Sequence, residues 1–585
     1  MIFPPRPSKI DQFKAWLEDR TGLGGALASL MNQPVPGGAS LWRALGMVAA
    51  LLVGLEFVTG VLLAFYYAPS AATAWASTAF IEDQLWFGSL IRGVHSFGSI
   101  ALIVVSGLHL VQVVLFGAYK RPREANWIAG LLLLLVLLGF ALSGYGLPWD
   151  QAGYWAKFVE TSILSTTPVV GPMLEAIVQG GSRYGHYTVI HFYAVHVFIL
   201  PAALALLLTL HIYWARRHKL TPPWWMDPAT VSRRTEPYFP GQALRDLSLF
   251  AFALAVVVVF VVVKKGAGLE PPADPASNYM ARPEWYAIPL YQLRMYFEGP
   301  LEIVATMIIP GIVGALVFAL PFLDRSHSLS PWKRPLATGG LVAALVITAV
   351  LTTLSVRKDR ADVAFQKHRA EVALEGLRAR DLAKRGVLPT GGIDVFKNDP
   401  QFEVLSLYKE KCGNCHGLTG QGGDEGPDFA DYNSRSWIVS FLKDPQGPLF
   451  MGPAKKKKGM KPVEGTDEEL AALAEVVYAQ TGAKDVKPEL LKKAKDSDLF
   501  SEKDCDSCHY IDEGDKDLGN AGPSLFQRGT IDYVVRVIEA PDHETLYGEK
   551  AKMPGFKGKL TPEQIRLLAE FIVGMKKPSA TAAAN

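Results

Sequence analysis

Cysteine is scarce in this chain of 585 residues, with four in all: Cys412, Cys415, Cys505 and Cys508. They form two Cys-X-X-Cys pairs, each followed by His, so none remains for a disulfide or an iron–sulfur cluster. Charge is thin as well, 20% of residues against 49% hydrophobic, which excludes a disordered chain and is too apolar for an ordinary soluble enzyme. No charge of one sign dominates: 59 Lys and Arg face 56 Asp and Glu, a net +3 that offers nucleic acid no footprint. No cleavable signal segment is expected either, since Pro, Gly and charge interrupt residues 1–40. The first apolar span is expected to direct insertion itself.

Long apolar runs are what the chain has in quantity. Segments 41–67, 89–117, 126–146, 188–214, 246–263, 301–323 and 336–356 are each about long enough to cross a ~30 Å hydrocarbon core at 1.5 Å per residue. Seven spans predict an all-α, multi-pass protein embedded in lipid. Lys and Arg gather in alternate connections, at Lys120, Arg121 and Arg123, then Arg216, Arg217, Lys219, Arg233 and Arg234, then Arg325, Lys333 and Arg334. The opposite connections are poorer, with Lys157, Arg183, Lys264, Lys265 and Arg282. The positive-inside rule then places the N-terminus in the cytoplasm of a bacterial inner membrane and the chain after Arg357 on the periplasmic side. Residues 8–30 read as an amphipathic helix on the inner surface or as a plain solvated one. A charged helix near 358–385 leads into the C-terminal part.

That part reads as a duplication built on Cys412-Gly-Asn-Cys415-His416 and Cys505-Asp-Ser-Cys508-His509. The spacing attaches haem c, because two thiols add to the vinyl groups while the next His reaches the iron. Gly426-Pro427 and Gly522-Pro523 follow, as in small soluble cytochromes c, where the resemblance implies a Pro carbonyl orienting the ligand His. Met460 lies 44 residues after His416 and Met553 lies 44 after His509, so duplicate halves select Met460 over Met451 as the first sixth ligand and Met553 as the second. Helices are expected at 467–480 and 562–575. Lys455 to Lys458 could face an acidic redox partner or simply be a solvated loop.

Inside the membrane, His95 and His109 share the second span, 14 residues apart, and His196 and His211 share the fourth, 15 apart. Those spacings return each pair to one helix face, separated by roughly 21–22 Å of rise. Polar residues in a span have specific partners. Bis-histidine ligation of two haems b, by His95 with His196 and His109 with His211, accounts for all four. Gly46 and Gly60 in the first span, and Gly130 and Gly144 in the third, repeat the 14-residue interval, and Gly lets a backbone approach a large flat ligand.

Arg92-Gly-Val-His95, Lys120-Arg-Pro-Arg-Glu124, Gly144-Tyr145-Gly-Leu-Pro-Trp149-Asp150-Gln-Ala-Gly-Tyr-Trp155 and Pro283-Glu284-Trp285-Tyr286 together resemble cytochrome b of the quinol:cytochrome c oxidoreductases. The likeness covers about residues 30–356 and is of the cytochrome b6 plus subunit IV type, followed by what resembles a dihaem cytochrome c. It implies a seven-span bundle holding two b haems, then two small α-helical, class I-like cytochrome c domains. The expected divisions are 1–40, 41–235 for the four-helix part, 236–356 for the three-helix part with the PEWY loop, 357–398 as linker, and 399–485 and 486–585 for the two c domains.

The resemblance implies quinol oxidation on the outer side at Glu284, which could otherwise be a helix-capping acid, with Tyr286 and Tyr145 lining the pocket. One electron then crosses the b haems to an inner quinone site, and the other leaves through a separate Rieske [2Fe–2S] protein to the c haems, coupled to proton translocation. Downstream cytochrome c or an oxidase, the quinone pool and homodimerisation follow from the family. Arg92 matches a haem propionate contact, whereas His191 stands where the family has a second such Arg. Arg216 could hold quinone or propionate, or serve only as a positive-inside charge. Ala44 stands where chloroplast-type relatives carry a thiol, so no covalent third haem is expected. A membrane electron conduit or haem sensor without quinol turnover is the alternative reading.

Overall fold

The computed structural model describes residues 8–399, 402–417, 426–447, 449–450, 460–512, 522–548 and 551–575. Met451 and Lys455 to Lys458 lie outside the described residues. The chain forms two compact units, one of residues 1–368 and 375–395, the other of residues 369–374 and 396–585. The described structure is mostly helical; its one sheet pairs Pro34–Val35 with Glu236–Pro237, antiparallel.

In the first unit seven helices are long and apolar enough to span a membrane: Leu41–Ala64, Gly88–Phe116, Glu124–Tyr145, His186–Arg217, Gly241–Lys264, Val304–Leu323 and Pro335–Ala361. The protein is a multi-pass membrane protein, and the spans stand within a few residues of those expected. The first packs on the second and the third on the fourth. Residues 8–30 form two helices, Lys9–Thr21 and Leu23–Met31, broken at Gly22, whose φ of 63° suits Gly. Neither buries a residue.

Three basic residues behave differently from freely solvated loop charges. Arg334 is buried and donates to the carbonyls of Val114, Leu115 and Leu329 at 2.7 to 3.0 Å. Lys120 donates to the Ser326 carbonyl at 2.6 Å. Lys157 is wholly buried, bonded to the Leu142 carbonyl and paired with Glu160. These cations tie helix ends together, because a buried charge needs its partners at hand. Residues 375–395, expected within a linker, belong to the first unit, where Arg380 grips the Asp83 carboxylate.

The second unit contains helices Phe402–Lys411, Gly413–His416, Arg435–Lys443, Asp467–Ala479, Pro488–Asp496, Leu499–Glu502, Ile531–Glu539 and Pro562–Gly574. Ser434, Thr466, Thr530 and Thr561 cap four of them through their hydroxyls. Its two apolar clusters cross the boundary expected at 485/486. One joins Val404, Leu407, Tyr408 and Cys412 to Tyr533, Ile538, Ile565 and Leu568. The other joins Trp437, Leu470 and Leu473 to Ala494 and Leu499.

Candidate functional site: histidines backed by glycine

His95 and His196 face each other across the second and fourth spans, ring centroids 6.3 Å apart and planes 74° apart. A metal–imidazole bond of about 2 Å from each side suits one metal between rings so separated. Each ring is oriented from behind through Nδ1. His95 Nδ1 lies 3.0 Å from Thr59 Oγ1 and 3.0 Å from the Glu56 carboxylate; His196 Nδ1 lies 3.0 Å from Ser143 Oγ. At the other level, His109 Nδ1 is 2.9 Å from Gln112 Oε1 and His211 Nδ1 is 3.1 Å from the Asn126 carbonyl. Occupying Nδ1 in this way leaves Nε2 for a ligand bond.

The four glycines stand directly against these rings. A Cβ on Gly60 would lie 3.2 Å from His95 Cε1, on Gly144 2.7 Å from His196, on Gly46 3.1 Å from His109, and on Gly130 3.1 Å from His211. The 14-residue glycine interval is therefore the imprint of the histidine interval on the neighbouring helix. Thr59 and Ser143 each precede one of these glycines, a hydroxyl-Gly pair repeated in two spans that could have flagged both orienting groups. Glu56 was not singled out either; a carboxylate in an apolar span is the signal that marks it.

The extra residue between His196 and His211 has a visible home. The fourth span widens into a π-type turn at Val195–Ile199, followed by Pro201, which lacks the N–H that an α-helical turn requires there. One added residue in that turn returns a 15-residue spacing to the register of a 14-residue one.

In the second unit the same device recurs. His416 Nδ1 lies 2.9 Å from the Pro427 carbonyl and His509 Nδ1 lies 2.7 Å from that of Pro523. Cβ atoms on Gly426 and Gly522 would each lie 2.6 Å from the Cε1 of these rings. Burial holds both imidazoles below their ordinary pKa, hence neutral, the form that ligates metal. The four cysteines are unbridged, and burial pushes Cys412 and Cys505 up to about 11.

Glu284 meets the end of the third span, at the residue after the glycine that backs His196. Asp150 caps the helix Gln151–Ser165, accepting from Gly153 N–H at 2.9 Å, and also accepts from Glu270 N–H at 3.2 Å. Gln151 N–H donates to the Pro271 carbonyl at 2.9 Å and Ala273 N–H to that of Trp149 at 3.1 Å. These bonds bring the segment after the fifth span to the end of the third, where the Tyr145 hydroxyl meets the Glu284 carboxylate. Burial, reinforced by the Asp150 charge, raises the Glu284 pKa above the ordinary carboxylate range, and the Tyr145 hydrogen bond offsets part of the rise. Tyr286 is raised by burial and by the Glu284 charge.

Arg92 pairs with Glu82 at 2.6 Å and lies within electrostatic reach of both His95 and Asp150. Two other candidates have partners of their own: His191 Nδ1 lies 3.1 Å from the Ile177 carbonyl, and Arg216 at the end of the fourth span lies within electrostatic reach of Tyr238. Met553 packs on the cluster that holds Cys412 and Tyr533, and Met460 packs on the cluster that holds Trp437 and Leu499.

Comparison with known proteins agrees with this geometry. Residues 100–272 match the family described as cytochrome b(N-terminal)/b6/petB and residues 272–367 match cytochrome b(C-terminal)/b6/petD. Cytochrome b6 of Synechococcus elongatus is 33% identical over 208 residues, which are 36% of this chain and 97% of that protein. The chain belongs to the cytochrome b/b6 family. Cytochrome b6 of Gloeobacter violaceus matches to the same extent, 33% over 208 residues, again 36% of this chain and 97% of the relative. Residues 494–572 match cytochrome C oxidase, cbb3-type, subunit III. A solved hyperthermophilic respiratory Complex III superposes with a TM-score of 0.53 at 28% identity, covering 58% of this chain and 91% of that one. The cytochrome b domains imply haem b and the C-terminal domain haem c, so the chain is an electron-transfer core of bc type.

Proposed function

We infer that the chain is the catalytic core of a quinol:cytochrome c oxidoreductase, with quinol oxidised beside Glu284. One observation carries this: the Glu284 carboxylate meets Tyr145, and Tyr145 follows the glycine that backs His196. His95 with His196 and His109 with His211 would hold two haems b, and the two Cys-X-X-Cys-His segments two haems c. The free Nε2 positions and the glycine-cleared faces fit that group. Bound there, haem supplies one-electron relays, two in the membrane and two in the C-terminal unit.

The chain's own residues handle the proton. Glu284 accepts it from a quinol hydroxyl while ionised, and its raised pKa makes it a stronger base than an ordinary carboxylate. Tyr145 donates to the same carboxylate and holds it toward the pocket, with Tyr286 beside it. Conserving energy requires quinol's two electrons to part. One takes the path marked by the four span histidines toward a second quinone site near Arg216. The other needs an acceptor outside this chain, since all four cysteines serve haem attachment; a separate Rieske protein has the required chemistry. Proton translocation, exchange with the quinone pool, delivery to a downstream cytochrome c or oxidase, and homodimerisation complete the reading. In this reading the C-terminal unit faces the periplasm of a bacterial inner membrane.

The test is quinol-dependent cytochrome c reduction by the purified complex, with and without Glu284→Gln. Turnover that depends on Glu284 is expected. A fully haem-loaded complex that never oxidises quinol would instead be a membrane electron conduit.

A further inference from the structure

The C-terminal unit is connected in a way that chain order does not suggest. Residues 480–487 alone join the helix Asp467–Ala479 to the helix Pro488–Asp496. Arg435 holds this connection closed: its Nε and Nη2 reach the two Glu475 oxygens at 2.7 and 2.9 Å, and its Nη1 reaches Asp485 at 2.9 Å. Lys487 N–H donates to the same Glu475 at 2.7 Å. A short connection lays consecutive helices against each other, and Lys493 pairs with Glu468 at 2.8 Å across the two.

The chain that leads into Cys505 is thereby held against the first half. Leu499 is buried with Trp437, Leu470 and Leu473; Phe500 and Met460 pack on the same cluster. Cys505 N–H bonds the Phe500 carbonyl at 2.9 Å, so the second attachment segment starts from this cluster.

With that place taken, the helix Phe402–Lys411 packs on Pro562–Gly574 at the far end of the sequence. The Tyr408 and Phe571 rings meet at 5.4 Å. Leu407 and Cys412 are buried with Ile565 and Leu568, and Met553 packs on them. Phe429, stacked on His416 at 4.4 Å between centroids, packs on that cluster too. The two halves cross beside each other, where Asn433 Nδ2 donates to the Arg528 carbonyl at 3.1 Å.

We propose that the two c-type sites exchange their methionines. Met553 completes the site of Cys412, Cys415 and His416, and Met460 completes the site of Cys505, Cys508 and His509. This rests on reading both segments as haem attachment sites, and it reverses the pairing that equal 44-residue spacing suggests. A thioether can ligate only the haem whose crevice it lines; Met553 packs on the cluster that holds Cys412, and Met460 packs on the one that holds Leu499 and Phe500, from which the Cys505 segment starts.

The experiment uses the full-length complex, first shown by haem staining to carry covalent haem; an unstained chain would sink the attachment reading, not the exchange. In a Cys505→Ala/Cys508→Ala variant, haem remains only at Cys412 and Cys415. Its far-red Met-to-iron absorbance band should be lost with Met553→Ala and kept with Met460→Ala, and the opposite dependence should hold in Cys412→Ala/Cys415→Ala. Loss of the band at the Cys412 site with Met460→Ala overturns the proposal. A second variant covers chains that do not accumulate with one haem: Tyr408→Cys/Phe571→Cys in the otherwise unaltered, haem-stained protein. An intramolecular disulfide between these positions under mild oxidant is expected, and failure to form it overturns the exchange.

Discussion

The membrane unit and the C-terminal unit use one local device, a glycine against a histidine ring, and differ in how partners are chosen. In the membrane each histidine is matched by a glycine on the adjacent span at the same level, so the two levels are built from the same helices yet remain separable. In the C-terminal unit each apolar cluster draws on residues of both halves. Helical periodicity carries the first arrangement over long distances. The second depends on which helix a short connection presses against which.

Removing His109 tests separability where the effect is largest. His109→Leu should eliminate one haem b and leave the other haem b and both haems c, so a pyridine haemochrome assay should read a b-to-c ratio of one to two. Loss of both haems b would show that the levels are not independent. A graded version uses the glycines: Gly144→Ala, whose Cβ would meet His196 at 2.7 Å, should cost more haem b than Gly130→Ala, with 3.1 Å to His211. Equal losses would mean that the close approach is not what makes glycine necessary.

Glu284→Gln comes next. It should lower quinol oxidation about 100-fold, the usual scale for a lost general base, while the haem content stays unchanged. The sign of the pH dependence follows from the raised pKa. Only the ionised carboxylate accepts a proton, so activity should rise with pH through a limb above the ordinary carboxylate range, and the Gln variant should lack that limb. Tyr145→Phe should act more mildly and on the same limb. The tyrosine hydroxyl lowers the Glu284 pKa, so its loss should move the limb to higher pH; a shift to lower pH would contradict the hydrogen bond.

How much of this was legible beforehand follows the same division. Seven spans, four histidines and four glycines were readable because spacing along a helix converts directly into position on its face. The π-type turn at Val195–Ile199 was not, since a 15-residue interval still returns roughly to one face in a regular helix; Pro201 was its only sequence mark. Arg334 read as an ordinary positive-inside charge, and nothing in the sequence near it announces the carbonyls of Val114 and Leu115, more than 200 residues away. Both attachment motifs were legible for the opposite reason, that all their chemistry lies within five residues. The packing of Met460 and Met553 on clusters that draw on both halves was not, because equal spacing says nothing of which helix packs on which.

The smallest expected effect bears on that last point. Thr561 and Gln564 cap the helix Pro562–Gly574 reciprocally, with Gln564 N–H donating to Thr561 Oγ1 at 3.2 Å and Thr561 N–H donating to Gln564 Oε1 at 3.1 Å. Thr466 and Glu469 cap Asp467–Ala479 in the same way. Losing such a cap costs about 1 kcal/mol, roughly a fivefold rise in local opening that amide hydrogen exchange can register. Thr561→Ala should therefore speed exchange in Phe402–Lys411, the helix packed on Pro562–Gly574, and leave Pro488–Glu502 nearly unchanged. Thr466→Ala should do the converse, because Asp467–Ala479 supports the second attachment segment. If each variant instead loosened the helix of its own half, the halves would be closing on themselves, and the contrast between the two units would reduce to one of composition.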